Sequence, residues 1–230
     1  APAAYGVGSH AEGMFGNTAY GNGSHAEGYM GTNAYGEGSH AEGYYTTAGT
    51  RTKNEDETYT YSGNYSHAEG NGTKASGNYS HAEGYYTVAS EYATHAEGAS
   101  TTASGQNSHA EGNGTKAIGY DSHAEGTCTI SSGESSHAEG YYTIAYSNFQ
   151  HVQGKYNIKD TEGKYAFIIG NGTDDNNRSN MIAIDWNGLI YLNNSNTGID
   201  LSNLSRTLST AVSQIGDIQT ALASIVEVSE

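Results

Sequence analysis

Short segments in which small and charged residues alternate dominate the first two-thirds of the chain. The pentapeptide Ser-His-Ala-Glu-Gly occurs eight times, beginning at Ser9, Ser24, Ser39, Ser66, Ser80, Ser108, Ser122 and Ser136. A ninth copy begins at Thr94, and an altered tenth copy covers residues 150–154. In the first nine copies Ser or Thr, Ala and Gly fall on one face of an extended chain, and His and Glu fall on the other. Such alternation between glycine-containing turns predicts a short strand.

The copies recur at a nearly constant interval, which indicates a repeat architecture. The intervals between successive copies are 15, 15 and 27, and then 14 six times. The second half of each unit has its own alternating pattern, as in Thr73-Lys74-Ala75-Ser76-Gly77. Two short strands per unit, stacked with their small side chains inward, predict an all-β fold. We expect a narrow parallel β-solenoid, or β-roll, of 14-residue rungs as a domain over residues 1–154.

The 27-residue interval interrupts this period. It equals one interval of 14 plus one of 13, so we expect one unit within it to lack a clear copy of the motif. Residues 50–57 are polar and charged, and they are predicted to form a surface loop that leaves this rung.

The pattern changes after Gly154. Segments 164–170 and 181–192 are rich in apolar residues and predict strands, and Asn187-Gly188 is a two-residue hairpin signal within the second segment. We expect Trp186, beside this turn, to anchor a small core. These features predict a small β-rich connector domain over residues 155–199.

The last segment, residues 200–230, has a helical pattern that begins at Asp200, a suitable N-cap residue. Apolar residues recur there at alternating spacings of three and four, which is typical of a coiled coil. Leu at the a positions with Ile at the d positions favours trimers or tetramers. The seam of the predicted trimeric coiled coil comprises Leu201, Leu204, Leu208, Ala211, Ile215, Ile218, Leu222 and Ile225. The alternative is a helix packed on its own domain, but no other segment has the apolar residues to cover it.

Aliphatic residues are too scarce in the β-roll segment for an ordinary globular core. Residues 1–154 contain only Val7, Val88, Ile118, Ile130, Ile144 and Val152, and no Leu precedes Leu189. This composition argues against a globular enzyme, and we predict neither enzymatic activity nor a cofactor. Low aliphatic content is also typical of disorder, but a fixed repeat register argues against a disordered chain.

The formal net charge of −16 argues against nucleic acid and anionic membrane surfaces as partners, because both require clustered Lys and Arg. The sequence has no run of 18 apolar residues and no charged leader followed by an apolar segment. We therefore expect neither membrane insertion nor a signal peptide. The single cysteine, Cys128, cannot form a disulfide within the chain.

The repeated His and Glu residues keep their identity in nine rungs, while neighbouring outward positions vary. Burial inside so narrow a roll would leave their charges without water, so they are predicted to face outward. The face comprises His10, Glu12, His25, Glu27, His40, Glu42, His67, Glu69, His81, Glu83, His95, Glu97, His109, Glu111, His123, Glu125, His137 and Glu139.

The favoured role of this face is a structural ladder across a subunit interface, in which imidazole N–H groups donate hydrogen bonds to carboxylates. Metal or anion binding by the His residues is the alternative, although no zinc-site spacing is present. Catalysis is the least favoured role, because a catalytic pair would occur once. If the histidines are charged and paired with Glu, their pKa values are raised, and their stabilisation is lost as the pH rises.

The Ser-x-Ala-x-Gly repeat with its 14-residue period resembles the head repeats of trimeric autotransporter adhesins, the YadA-like left-handed parallel β-roll. At the middle positions, which are usually aliphatic in that family, this chain has His and Glu, as at His81 and Glu83. The Ser-His-Ala-Glu-Gly version is similar to repeats in tail-fibre and baseplate-associated proteins of phages and prophages of Gram-positive hosts. Segments 165–172, 178–180 and 185–188 resemble the sequences located C-terminal to such repeats there. The resemblance implies a homotrimer.

These features together predict a homotrimeric structural and attachment module of a phage tail fibre or receptor-binding protein, located in the virion tail. The expected partners are further copies of the chain, other tail or baseplate proteins, and a glycan or protein of the host cell surface. Tyr pairs at turns, such as Tyr85-Tyr86, are suited to stacking on sugars, although padding of the roll edges is favoured. The alternative is the head domain of a bacterial trimeric adhesin at the cell surface. A solenoid acyltransferase is disfavoured because the first half contains no Leu.

Overall fold

The computed structural model describes residues 1–194 and 198–227, and the repeats form a parallel β-solenoid of about 12 turns with rungs of roughly 14 residues. Each rung contributes one strand to each of two parallel sheets, so the predicted β-solenoid is confirmed. The N-terminal rungs contain β1 (Ala3–Ala4), β2 (His10–Phe15), β3 (Thr18–Ala19), β4 (His25–Met30), β5 (Asn33–Ala34), β6 (His40–Tyr44) and β7 (Thr47–Ala48).

The 27-residue interval contains no rung that lacks the motif, so that prediction is wrong. Strand β6 pairs directly with the next motif strand, with His40 opposite His67. The extra residues form an antiparallel hairpin of β8 (Thr50–Lys53) and β9 (Tyr59–Ser62) outside the rung. The segment 50–57 is thus the first strand and the turn of a hairpin. The chain leaves the rung at Gly49 and returns to it at Gly63. These two residues are adjacent in space, since a Cβ built on Gly63 would lie 2.3 Å from Gly49 Cα.

Deletion of residues 50–62 is expected to leave the solenoid folded. Joining Gly49 to Gly63 restores a unit of the same length as the regular unit 73–80. The thermal unfolding midpoint, measured by circular dichroism, should change by less than about 4 °C, or about 1 kcal/mol.

A deletion of equal length elsewhere is the matched control for this variant. Removal of residues 106–118 is as long as the hairpin deletion, but it is one position shorter than a regular rung, so it shifts the strand register by one position. If both deletions lower the unfolding midpoint equally, the hairpin contributes to the stability of the solenoid, and the expectation that it is dispensable is wrong.

Beyond the hairpin the rungs are regular up to Lys155. Their strands are β10 (His67–Asn71), β11 (Lys74–Ala75), β12 (His81–Tyr85), β13 (Val88–Ala89), β14 (His95–Ala99), β15 (Thr102–Ala103), β16 (His109–Asn113), β17 (Lys116–Ala117), β18 (His123–Thr127), β19 (Ile130–Ser131), β20 (His137–Tyr141), β21 (Ile144–Ala145) and β22 (His151–Lys155). From β2 to β22, each motif strand pairs with the motif strands of the neighbouring rungs, so equivalent residues of successive rungs lie side by side.

The interior of the solenoid consists of small side chains, as predicted. Ala110 and Ala117, one from each sheet, are fully buried. The motif serine closes its turn, since Ser122 Oγ donates to the Gly119 carbonyl at 2.7 Å. The backbone joins neighbouring rungs, as where His109 N donates to the Ser122 carbonyl at 2.9 Å. Backbone ladders and close contact between small residues therefore supply the order that aliphatic side chains provide in other folds.

The connector continues the motif sheet. Strand β23 (Tyr165–Asn171) pairs in parallel with β22, and β24 (Asn180–Asp185) and β25 (Ile190–Leu192) extend the sheet as an antiparallel pair. Strands β24 and β25 form the predicted hairpin around Asn187-Gly188, but their connection covers residues 186–189 and not two residues. Strand β22, which contains residues 154 and 155, pairs directly with β23 of the connector. The division of the chain into two domains between these residues stays a prediction.

Larger side chains fill the interior at this end of the sheet. Val152 and Ile168 are fully buried and pack with Tyr191. Trp186, in contrast, is 53% exposed, and its indole N–H donates to the Gly163 carbonyl at 3.0 Å. The prediction that Trp186 anchors a small core is therefore wrong.

Helix α1 (Leu201–Glu227) follows the connector. Asp200 caps it as predicted, since the Asn203 backbone N–H donates to Asp200 Oδ1 at 3.1 Å. The predicted connector and coiled-coil segments also include residues 195–197 and 228–230, which lie outside the described residues. In the described part of the chain, no helix has the length and apolarity needed to cross a membrane.

Candidate functional site

The His and Glu residues of the motif form a continuous strip on the outer face of the motif sheet, which we term the His–Glu ladder (His10 to His151 and Glu12 to Glu139 at motif positions two and four). Parallel pairing in register places each His beside His and each Glu beside Glu, as with His67 and His81 or Glu69 and Glu83. In the middle rungs these side chains are about one-third exposed. They face outward, as predicted, but are shielded on both sides by their own copies.

The imidazole rings stack along the ladder. From His25 to His151, successive ring centroids lie 4.6 to 4.9 Å apart and the ring planes are within 20° of parallel. At the open N-terminal end, His10 meets His25 edge to face at 5.1 Å. The stacking follows from the backbone, because neighbouring strands hold equivalent Cα atoms about 4.8 Å apart.

The contacts between imidazole and carboxylate are mostly too long for hydrogen bonds. His137 Nε2 lies 3.0 Å from Glu125 Oε1, within hydrogen-bonding distance. The other His–Glu pairs of the described ladder have Nε2–Oε distances of 3.4 to 3.8 Å. Nε2 is hidden from solvent and has no hydrogen-bond partner in His25, His40, His67, His81, His95, His109, His123 and His151. Hydrogen bonding between chains, the favoured role for the ladder, stays a prediction.

The pKa values of three ladder histidines are lowered, which contradicts the expectation of charged His–Glu pairs. Burial is the largest cause for His40, His81 and His109, and the neighbouring imidazoles lower each pKa further. The Glu carboxylates raise these pKa values, but by less. Desolvation outweighs the attraction because the carboxylates lie beyond hydrogen-bonding distance. These three imidazoles therefore favour the neutral form.

The carboxyl groups also interact with one another along the ladder. A hydrogen bond between the carboxyls of Glu12 and Glu27 lowers the pKa of Glu12 and raises that of Glu27. The same alternation occurs for Glu42, whose pKa is lowered, and Glu69, whose pKa is raised. A groove of 680 Å³ follows these residues, lined by Glu12, Gly13, Glu27, Gly28, Glu42, Gly43 and Gly70.

The predicted coiled-coil residues lie on helix α1 and are exposed. Leu201, Leu204, Leu208, Ile215, Ile218 and Leu222 are 46 to 59% exposed. Ala211 is exposed as well. Ile225 is within the helix, but its side chain lies outside the described residues.

The Tyr pairs at the turns pack on the edges of the solenoid, as favoured from the sequence. Tyr85 and Tyr86 meet edge to face, with ring centroids 4.5 Å apart. The Tyr86 ring covers Gly72 of the preceding rung, because a Cβ at Gly72 would lie 2.8 Å from that ring. Sequence analysis missed a second aromatic group, in which the rings of Tyr20, Tyr35 and Tyr61 stack. No signal in the sequence places Tyr61 there, because it lies on the inserted hairpin.

Comparisons with protein-family models and with curated protein sequences find no match to this chain. The YadA-like resemblance therefore depends on the repeat pattern, to which the structure adds a β-solenoid with rungs of roughly 14 residues.

Proposed function

We propose that the chain is one subunit of a homotrimeric structural and attachment module of a phage tail fibre or receptor-binding protein. The observation that carries this proposal is the exposed apolar seam of α1. Leu208 is 57% exposed, Ile215 56% and Leu222 58%. Exposure of a regular apolar stripe to water is unfavourable, and association of three parallel helices buries it.

The solenoid suits the role of a stiff shaft. About 12 turns at a spacing of ~4.8 Å extend roughly 58 Å, and backbone hydrogen bonds join each rung to the next. Helix α1, with 27 residues, is itself about 40 Å long. Both elements are built from short-range repeats, so they hold a fixed length without a large globular core.

The His–Glu ladder supports a second contact between subunits. It is regular from His25 to His151 and its side chains are partly exposed, and the lowered pKa values of His40, His81 and His109 favour the neutral form of those imidazoles. A neutral imidazole costs less to bury at an interface than a charged one. The repeated identity of the ladder is then explained, because three symmetric copies meet at the same position in every rung.

The hairpin β8–β9 is the surface that we assign to host attachment. It projects from the regular rungs, and the Arg51 guanidinium lies 3.7 Å from the Tyr59 ring centroid and 4.8 Å from that of Tyr20. Aromatic rings and Arg are the side chains most enriched at recognition surfaces. Deletion of residues 50–62 is expected to leave the fold intact, so a glycan array probed with this variant and the wild type tests the assignment. Equal binding by both proteins would overturn it.

Sedimentation equilibrium tests the trimer. The wild-type chain is expected to have a mass of about 72 kDa, three times 24.1 kDa. The variant Leu208→Asp/Ile215→Asp places charges in the seam and should dissociate towards 24.1 kDa. Ser213→Asp/Thr220→Asp adds the same charge opposite the seam and should keep the trimer mass. A wild-type mass near that of one chain would overturn the proposal, and a seam variant that stays trimeric would exclude the helix as the clamp.

A further inference from the structure

We propose that the His–Glu ladder binds late first-row divalent cations, represented by Zn²⁺, at sites built from imidazole nitrogens and carboxylates of neighbouring rungs. All ligands of each site come from a single chain. The inference therefore goes beyond the proposed trimer and does not depend on it.

The His and Glu side chains of the ladder form groups of three potential metal ligands. In each group, one ligand atom from every residue lies within 4.8 Å of the other two. Four of these groups have no residue in common: His10, Glu12 and His25; His40, Glu42 and His67; Glu69, His81 and Glu83; and His123, Glu125 and His137. Three protein ligands with a fourth position for water are a common arrangement around zinc.

The distances within the groups fit a metal better than a hydrogen bond. Nε2 of His40 lies 3.7 Å from a Glu42 carboxylate oxygen, and Nε2 of His81 lies 3.8 Å from one of Glu83. The His137–Glu125 pair, at 3.0 Å, is the exception. Hydrogen bonds between such atoms are about 2.7 to 3.2 Å long. Two ligands at tetrahedral angles on Zn²⁺, each bonded at ~2.05 Å, are roughly 3.4 Å apart. The spacing along the ladder is thus close to the edge of a zinc coordination tetrahedron.

The imidazole Nε2 atoms are available to bind a metal ion. Nε2 is hidden from solvent and lacks a hydrogen-bond partner in eight histidines of the described ladder, including His40 and His67. Buried polar atoms without partners are rare in folded proteins, so a repeated set of them points to a missing ligand. Zinc binds imidazole through a nitrogen lone pair, and a buried Nε2 that makes no hydrogen bond is free to supply one.

The charge along the ladder also favours cations. In-register pairing puts Glu beside Glu in successive rungs, as with Glu97 and Glu111. Like charges directly opposite each other on neighbouring strands are destabilising. The imidazoles nearest these two carboxylates lie 3.6 and 3.4 Å away, beyond hydrogen-bonding distance, in a chain whose formal net charge is −16. A divalent cation in each group of three neutralises the carboxylates and supplies the partner that the imidazoles lack.

The donor set selects among metals. Mg²⁺ and Ca²⁺ prefer six or more oxygen ligands, which one or two carboxylates do not provide. Imidazole with carboxylate suits Zn²⁺ and its neighbours in the first transition row. Saturable binding of Zn²⁺, with Mg²⁺ binding much more weakly, is therefore the expected signature.

Isothermal titration of the EDTA-treated full chain with ZnCl₂ tests the inference. At least four Zn²⁺ ions are expected per chain, one for each of the four groups named above. His40→Gln/His67→Gln and, independently, His123→Gln/His137→Gln should each lower the stoichiometry by about one. Lys74→Gln, on the other sheet of a neighbouring rung, is the control and should leave it unchanged. Circular dichroism of each variant confirms that the solenoid is folded.

The outcomes separate this inference from the proposed trimer. No saturable Zn²⁺ binding, or binding that both His variants leave unchanged, overturns the cation site. Sedimentation in EDTA reports on the trimer independently. If the protein is a trimer but does not bind zinc, only the proposed cation site is overturned. If it is monomeric and binds zinc, only the proposed trimer is overturned.

Discussion

Gly112→Ala is expected to lower the free energy of unfolding by about 3 kcal/mol or more. Gly112 is the glycine of a motif copy, and its φ of +106° is one that side-chain-bearing residues rarely adopt. A Cβ at this position would lie 2.2 Å from the carbonyl oxygen of Gly126 in the next rung. That oxygen belongs to the backbone ladder, so it cannot move without breaking hydrogen bonds between rungs. Thermal or urea unfolding followed by circular dichroism measures the loss.

Gly23→Ala is the control that separates backbone strain from the clash. Gly23 also has a positive φ, +63°, but a Cβ there would meet no atom within 4 Å. Its substitution should cost about 1 to 2 kcal/mol, the strain of the left-handed region alone. If Gly112→Ala costs no more than Gly23→Ala, close approach of the rungs is not the reason for the motif glycine.

Acidification from pH 7.5 to 5.5 is expected to lower the melting temperature. The folded structure lowers the pKa of His40, His81 and His109 from 6.5, chiefly by burial. As the pH falls through 6.5, the unfolded chain therefore binds protons before the folded chain does. The stability is complete above that pH and is lost as the pH falls through the lowered, folded-state values. Thermal melts at several pH values, followed by circular dichroism, measure this dependence.

The double variant His81→Gln/His109→Gln should flatten the pH dependence, because it removes two of the three shifted groups. Among the ladder carboxyls, the pKa is raised for Glu27 and Glu69 and lowered for Glu12 and Glu42. Their contributions oppose each other, so the histidines dominate between pH 7.5 and 5.5. A melting temperature that rises on acidification would instead indicate the charged His–Glu pairs that the sequence alone suggested.

The rungs of the solenoid were predictable from the sequence because their determinants are local and repeated. Alternation over five residues decides which side chains share a face, and a period of 14 decides which residues become neighbours. The hairpin at Asn187-Gly188 and the helix cap at Asp200 were predictable for the same reason, since each depends on a few adjacent residues. The structure of the 27-residue interval was not predictable in this way. Its length alone does not show that Gly49 and Gly63 lie next to each other.

The membership of the His–Glu ladder was also predictable, but its chemistry was not. The sequence places His and Glu on one outward face, but it does not show whether they form charged pairs. The structure brings His109 against His95 and His123 at ring distances of 4.7 and 4.8 Å. Stacking buries Nε2 and lowers the His109 pKa, and both effects arise between side chains of successive rungs.

The sequence by itself determined the repeat, the inward face of Ala and Ser, and the apolar seam of α1, because each is a pattern of near neighbours along one chain. Only the tertiary structure decided that residues 50–62 form a hairpin outside a complete rung, that Trp186 is exposed, and that the pKa values of His40, His81 and His109 are lowered. The physical reason is that burial, close approach and desolvation depend on which atoms of distant rungs come together. Those distances are set by the stacking of the whole solenoid.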